Sequence, residues 1–151
     1  MVDAPKPEII QLRLPSRLEL LGVLDRVTVT VCERMEFDED TTSQVSMSVI
    51  EAGTNAVQHG HARDAAKLFD VEFRLFPERL EVSVHDEGKG FDVAHLTSDV
   101  TTPEHLFDMR GRGIFIMRSC CDEVDFQFGP NGTTCRLVKL RPPVKQRAAD
   151  A

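Results

Sequence analysis

The sequence predicts an α+β fold, a two-layer sandwich in which helices cover one face of a mostly antiparallel sheet. Residues 16–60 repeat apolar side chains at helical spacing. Residues 69–84 and 124–141 instead alternate apolar and polar side chains with the period of two that strands show. Short turn signals inside both segments favour hairpins. A length of 151 residues suits one domain with one sizeable core.

We expect this single domain to span residues 9–141. Residues 1–8 contain two prolines and are predicted to form a flexible N-terminal arm. Residues 142–151 begin with a proline pair and are predicted to be a disordered tail.

Composition excludes several classes of protein. The formal net charge of −7 argues against direct nucleic-acid binding and would suit a partner with a basic surface. No apolar run approaches the roughly 18 residues of a membrane span, and no secretory signal is visible, so we expect a cytoplasmic protein without membrane association. The cysteines form no C-x-x-C pair and are expected to be buried free thiols; they are Cys32, Cys120, Cys121 and Cys135.

The N-terminal part predicts an edge strand at residues 9–14 and then a helix. Ser16 and Glu19 have the spacing of a capping box, so this helix should begin at Ser16, and its apolar positions continue to Met35. The V-T-V-T-V run at 27–31 would suit a strand equally well, but the cap and the longer apolar stripe favour a helix.

A second helix is predicted to begin at another capping box, Thr41 and Gln44, and to end at Gly60. One face of it carries a core-facing stripe of small apolar residues, which are Val45, Val49, Ala52 and Ala56. Beside that stripe lies a polar ridge with i, i+4, i+8 spacing, formed by Glu51, Asn55 and His59. Such a ridge can bind a metal ion, a proton or a phosphate, although taken alone it is more often a solvated helix face.

The C-terminal part predicts two hairpins around a loop and a short helix. The first hairpin pairs residues 69–75 with 80–84, and the second pairs 124–128 with 133–141. Residues 93–109 have no clean period and are predicted to be mobile. The segment R-G-R-G-I-F-I-M-R that follows is predicted to be a glycine-rich turn that opens a short helix.

Two glycine motifs could bind an anion or a nucleotide. D-E-G-K-G at 86–90 places a carboxylate at a strand end, before glycines that allow close approach of a ligand. G-R-G at 111–113 opens a helix, where N–H groups and the helix dipole favour an anion. Neither is a Walker A loop or a dinucleotide fingerprint. Each pair of glycines alone is more often a turn than a nucleotide site.

Together with E-x-x-x-N at 51–55 and N-G-T-T at 131–134, these motifs occur in the order of the four boxes of the GHKL ATPases, which have the Bergerat fold. The chain resembles that superfamily over about residues 9–141. It is most similar to the anti-sigma-factor serine/threonine kinases of bacterial partner-switching systems.

The resemblance implies an ATP site that uses Mg²⁺. Asn55 would hold the metal against the triphosphate, as a neutral oxygen ligand suited to a hard cation. Glu51, one turn earlier, would be the catalytic base that accepts the proton of the attacking hydroxyl. Either Arg110 or Arg112 could stabilise charge on the γ-phosphoryl group.

The glycine motifs would bind the rest of the nucleotide. Asp86 would accept a hydrogen bond from the adenine amino group, helped through water by Thr133 or Thr134. Gly88 and Gly90 would shape the base pocket. Backbone N–H groups of four residues would line the phosphates, and these are Gly111, Arg112, Gly113 and Ile114.

The implied function is a serine/threonine kinase that also binds a sigma factor and phosphorylates a STAS-type anti-sigma-factor antagonist. The family further implies a homodimer. The alternative is a nucleotide-gated binding switch with little or no phosphotransfer. Because Glu51 is retained, the kinase is favoured. A sensor-kinase fragment is disfavoured, since no phosphoacceptor helix is visible.

Overall fold

The computed structural model describes residues 4–60, 64, 66–88 and 109–142. The predicted fold class is confirmed: helices cover one face of an antiparallel sheet. The strands are β1 (Glu8–Pro15), β2 (Leu68–Leu75), β3 (Arg79–Asp86), β4 (Glu123–Gly129) and β5 (Gly132–Leu140). The helices are α1 (Leu21–Arg34), α2 (Glu39–Asn55) and α3 (Met109–Cys120). The predicted tail beyond Pro142 and all but the last residue of the predicted mobile segment lie outside the described residues.

The sheet has the strand order β1-β2-β3-β5-β4, and every neighbouring pair is antiparallel. The position of β1 at an edge is therefore as predicted. The first hairpin closes at the pair Leu75 and Leu80. The second closes at Gly129 and Gly132, and its return strand β5 inserts between β3 and β4. This arrangement brings the end of β3 next to the beginning of β5.

The helix α1 begins later than predicted. A 3₁₀ turn (Leu18–Leu20) precedes it, and its N-cap residue Leu20 makes no side-chain cap hydrogen bond in the described structure. Ser16 is instead buried, and its N–H donates to the carbonyl of Lys67 at 2.8 Å. The N-cap residues are Arg17 for the 3₁₀ turn and Leu20 for α1, so neither helical segment has Ser16 as its N-cap, in contrast to the prediction. The V-T-V-T-V run is helical, as predicted.

The helix α2 begins earlier than predicted. Its N-cap is Asp38, whose Oδ1 accepts from the N–H of Thr41 at 2.7 Å. Asp38 and Thr41 have the cap-to-third-residue spacing that the prediction assigned to Thr41 and Gln44. The two acidic residues that follow Asp38 suit the positive end of the helix dipole. Gln44 has a tertiary role instead, since its Oε1 accepts from Lys139 Nζ at 2.8 Å.

The helical path continues as a π-helical segment (Ala56–Gly60) and ends at Gly60, as predicted. The predicted polar ridge begins with Glu51 and Asn55 on α2, and the side chain of His59, its third member, lies outside the described part of the structure.

The core lies between α1, α2, α3 and the sheet. The stripe predicted on α2 is confirmed, since all four of its members are buried. Every second residue of β2 and β3 faces the helices, and these include Phe69, Val71, Phe73, Val82 and Val84. Gly53 lets α2 approach α1, because a Cβ there would lie 2.9 Å from Leu21 Cδ2 and 3.0 Å from Leu24 Cδ2.

Candidate nucleotide-binding site

The predicted base, Glu51, lies against α3. A Cβ atom placed on Gly113 would lie 2.7 Å from Glu51 Oε2 and 3.8 Å from Asn55 Nδ2. Because any larger residue would fill this space, the glycine lets the two helices bring Glu51 and Asn55 next to the G-R-G backbone. The structure therefore joins two motifs that are about 60 residues apart in sequence.

The G-R-G motif itself is helical. It was predicted as a turn before the helix, but Gly111, Arg112 and Gly113 lie within the first turns of α3. Gly111 and Gly113 are buried, and Arg112 is exposed. Gly113 therefore serves the close packing of α3 against α2 rather than a tight turn. Ile114, the fourth predicted phosphate-site residue, is 1% exposed and belongs to the core.

The predicted adenine ligand, Asp86, ends β3 on the sheet face that the helices cover. It is 8% exposed, and its Oδ1 accepts from the N–H of Gly88 at 2.7 Å. The turn between β4 and β5 packs directly on it: Gly132 has φ +123°, and a Cβ there would collide with the carbonyl of Asp86. Only glycine both adopts this positive φ readily and leaves room for the Asp86 carbonyl. The other predicted pocket glycine, Gly90, lies outside the described residues.

The structure separates the two candidate threonines. Thr133 is the cross-strand partner of Asp86, is 5% exposed and shares its face of the sheet. Thr134 pairs with His85 on the opposite face, where its Oγ1 lies 2.8 Å from His85 Nδ1. Because side chains alternate along a strand, only Thr133 points into the same layer as Asp86.

Two buried polar atoms at this site have no hydrogen-bond partner among the described residues. They are Asn55 Nδ2 and Thr133 Oγ1. A buried polar group without a partner is costly, so such groups in a folded protein commonly meet a ligand or water. Their positions on α2 and β5, beside Glu51 and Asp86, fit a polar ligand that spans the two layers.

Burial raises the pKa of the Glu51 carboxyl, and the positive charge of Arg112 opposes part of that rise. Desolvation penalises the ionised form, which makes the carboxylate a better proton acceptor than a solvated glutamate. Arg112 thus lies close enough to influence Glu51. The side chain of Arg110 is outside the described part of the structure, so the choice between the two arginines stays open.

Sequence analysis missed the contribution of Lys139. Its Nζ donates to Gln44 Oε1 at 2.8 Å and to the carbonyl of Cys120 at 2.6 Å. It therefore ties the last turn of α3 to α2, and it satisfies a C-terminal carbonyl of α3. A lysine near the end of a strand has no local pattern that would reveal this contact.

A concavity of about 490 Å³ lies on the other face of the sheet, away from these motifs. Its lining is Gln11, Leu12, Arg13, Asp70, Val71, Glu72, Ser83 and His85. Its polar side chains pair with their neighbours: Arg13 with Asp70 at 2.6 Å and Gln11 with Glu72 at 3.0 Å. Such mutual pairing leaves little demand for a ligand there.

Comparison with known proteins identifies the family of the chain. Residues 14–139 match the family model of the histidine kinase-like ATPase domain. The serine-protein kinase RsbW of Bacillus subtilis is 33% identical over 137 residues, which cover 87% of this chain and 85% of that protein. The RsbW of Bacillus licheniformis is 30% identical over 138 residues, covering 88% and 86%.

A solved structure containing the RsbU and RsbW domains of a Mycobacterium tuberculosis protein has the same fold. It superposes with a TM-score of 0.66 at 18% identity, over 90% of this chain and 33% of that longer chain. The chain belongs to the histidine kinase-like ATPase family, and within it to the branch of serine-protein kinases. The resemblance drawn from the four motifs is thereby confirmed.

Proposed function

We propose that this protein is an ATP-dependent serine/threonine kinase that binds a sigma factor and phosphorylates a STAS-type anti-sigma-factor antagonist. The single observation that carries the proposal is the position of Glu51. Its carboxylate lies against Gly113 of α3, one helical turn from Asn55. A binding switch would need Asn55 and Asp86, whereas only phosphotransfer needs a base beside them.

The residues present fit Mg²⁺ and ATP. Asn55 has a buried amide whose Nδ2 lacks a partner in the described structure, and Asp86 and Thr133 offer polar atoms on the same layer. Asn55 would hold Mg²⁺ through its side-chain oxygen, while its unpartnered Nδ2, a donor, would suit a phosphate oxygen. Asp86 and Thr133 would hold the adenine. The metal, when bound, neutralises charge on the phosphates during transfer.

Glu51 supplies the proton transfer. It would take the proton of the serine or threonine hydroxyl as that oxygen bonds to the γ-phosphorus and ADP leaves with the bridging oxygen, a contribution of roughly 10²–10⁴ in rate. The carboxylate is partly desolvated, which suits this role. Either Arg110 or Arg112 would stabilise the negative charge on the transferred group.

The partners follow from the family and from the surface. One side of the edge strand β1 pairs with no other described strand, and its Ile9 is 50% exposed, which supports a homodimer contact through β1 and α1. The net charge of −7 supports protein partners over nucleic acid. No helix of the described residues is long and apolar enough to cross a membrane. A cytoplasmic location accords with these partners.

Incubation with Mg²⁺-ATP and each STAS-domain antagonist of the source organism tests the proposal, with phosphosites mapped by mass spectrometry. We expect phosphoserine or phosphothreonine on one antagonist with the wild-type protein and not with Glu51→Gln. Binding of ATP by calorimetry without transfer to any antagonist would instead support the nucleotide-gated switch.

A further inference from the structure

After its acidic first turn, which contains the exposed Glu39 and Asp40, the outward face of α2 carries almost no charge. Between Thr41 and Ala62 the single Asp, Glu, Lys or Arg is Glu51, although 28% of the chain is charged. An exposed helix face in a globular protein normally carries several charged residues. The amino-acid composition of this exposed side of α2 therefore differs from that of a surface that contacts only water.

Met47 lies at the centre of this face. It is 49% exposed and precedes Glu51 by four residues, so the two side chains are neighbours on one ridge, about 6 Å apart along the helix axis. Ser43 is exposed, and Ile50 and Thr54 are half-buried around it. A single exposed apolar residue is ordinary. This one differs because it lies next to the proposed base.

The other sides of Glu51 are already occupied. Gly113 of α3 lies against one flank of the carboxylate. The proposed nucleotide ligand Asn55 lies one turn toward the C-terminus of α2, and the π-helical segment beyond it packs on β3, which ends at Asp86. The nucleotide would therefore lie on the side of Glu51 that faces the C-terminus of α2.

The acceptor hydroxyl must come from elsewhere. In phosphoryl transfer the attacking and leaving oxygens lie roughly in line across the γ-phosphorus, so the acceptor approaches from the side opposite the nucleotide. Along α2, the side opposite the nucleotide is the side of Glu51 that faces the helix N-terminus, where Met47 lies. A protein segment that delivers its hydroxyl to Glu51 therefore passes over Met47.

We propose that Met47, with Ser43, Ile50 and Thr54, is the docking face for the segment of the protein substrate that carries the phosphoacceptor hydroxyl. That segment is uncharged and presents an apolar side chain to Met47. An uncharged segment can cover this face without burying an unpaired charge. Methionine suits the contact because its flexible thioether adapts to a partner surface. The inference rests on the proposed kinase function.

The test uses the full-length protein and the antagonist that the wild type phosphorylates, with initial rates measured against antagonist concentration. Met47→Ser removes the apolar contact without adding charge, and Met47→Leu retains it. Leu140→Ser is the matched control, because Leu140 is 52% exposed at the opposite end of β5 from Thr133. Thermal unfolding, ATP affinity and molar mass in solution are measured for each variant.

We expect Met47→Ser to raise the KM for the antagonist about five- to tenfold, the loss expected for a half-buried contact. Its kcat, ATP affinity and molar mass should stay at wild-type values, and Met47→Leu should restore KM. An unchanged KM for Met47→Ser overturns the inference, as does an equal rise for Leu140→Ser. A changed molar mass overturns it in favour of a contact between copies of this chain. Failure of the wild type to phosphorylate any antagonist overturns the proposed function itself.

Discussion

Gly113 of α3 lies directly against the carboxylate of Glu51 on α2: a Cβ on the glycine would be 2.7 Å from Glu51 Oε2. The atom that a larger residue would strike is the end of a flexible side chain, so the carboxylate can move aside. The cost of substitution should thus appear in activity rather than in folding.

Gly113→Ala should lower phosphotransfer steeply, by roughly 10²-fold, because a displacement of about 1 Å at a catalytic group can have that effect. Its melting temperature should be unchanged or higher, since alanine favours a helix over glycine by up to about 1 kcal/mol. Gly22→Ala on α1 is the control, because nothing lies within 4 Å of a Cβ there. The Gly22→Ala variant should be more stable than the wild type and should keep the wild-type rate of phosphotransfer. Wild-type activity in Gly113→Ala would show that the position of Glu51 is not critical.

Glu51→Gln should lower transfer by roughly 10²–10⁴ while ATP affinity is kept or slightly increased. The variant keeps the shape of the side chain and removes both the base and a negative charge near the phosphates. Single-turnover kinetics and calorimetry measure the two effects separately. A wild-type rate with chemistry as the slow step would exclude Glu51 as the base.

The same variant should be more stable than the wild type at pH 7. Burial raises the pKa of the Glu51 carboxyl in the folded protein above its unfolded value. The contribution of this group to stability is then fully present below the unfolded pKa and is lost as pH rises through the folded pKa. The gain in melting temperature from Glu51→Gln should therefore shrink as pH falls toward about 4. A gain that is constant across this range would contradict the assignment.

Thr133→Val should weaken ATP binding up to about tenfold, because it removes a buried hydroxyl of the proposed base pocket while keeping its shape. Thr134→Val is the matched control on the next residue, and its hydroxyl meets His85 on the other face. It should bind ATP like the wild type. Equal losses in the two variants, measured by calorimetry, would disprove the assignment of Thr133 to the base pocket.

The four thiols should fall into two classes. Burial raises the pKa of the Cys32 thiol to about 12 and raises the pKa of the Cys135 thiol as well. Both should resist a thiol-specific reagent such as DTNB at pH 8 in the native protein, because the thiolate is the reactive form. Cys120 is only half-buried and should react first, whereas burial also raises the pKa of the Cys121 thiol, which should therefore react slowly. Reaction of all four thiols with DTNB at one rate, in the absence of denaturant, would contradict the structure.

Much of the fold was predictable because its signals are local. Alternation identified the strands, the stripe on α2 identified its buried face, and residue types at close spacing identified the motifs. Helix starts were less predictable, since several positions satisfy the same cap pattern. Asp38 caps α2 although Thr41 has an equivalent pattern, and Ser16 is held at the junction with β2 by its bond to Lys67.

The sequence by itself determined which chemical groups are present: the Glu51 carboxylate, the Asn55 amide one turn later, and Asp86 at a strand end. Only the tertiary structure decided how they meet. The register of β5 on β3 placed Thr133, and not Thr134, beside Asp86. The approach of α3 to α2 brought Gly113 onto Glu51. Both depend on contacts between distant segments, where a shift of one residue would reverse the face of a strand, and no local pattern encodes that choice.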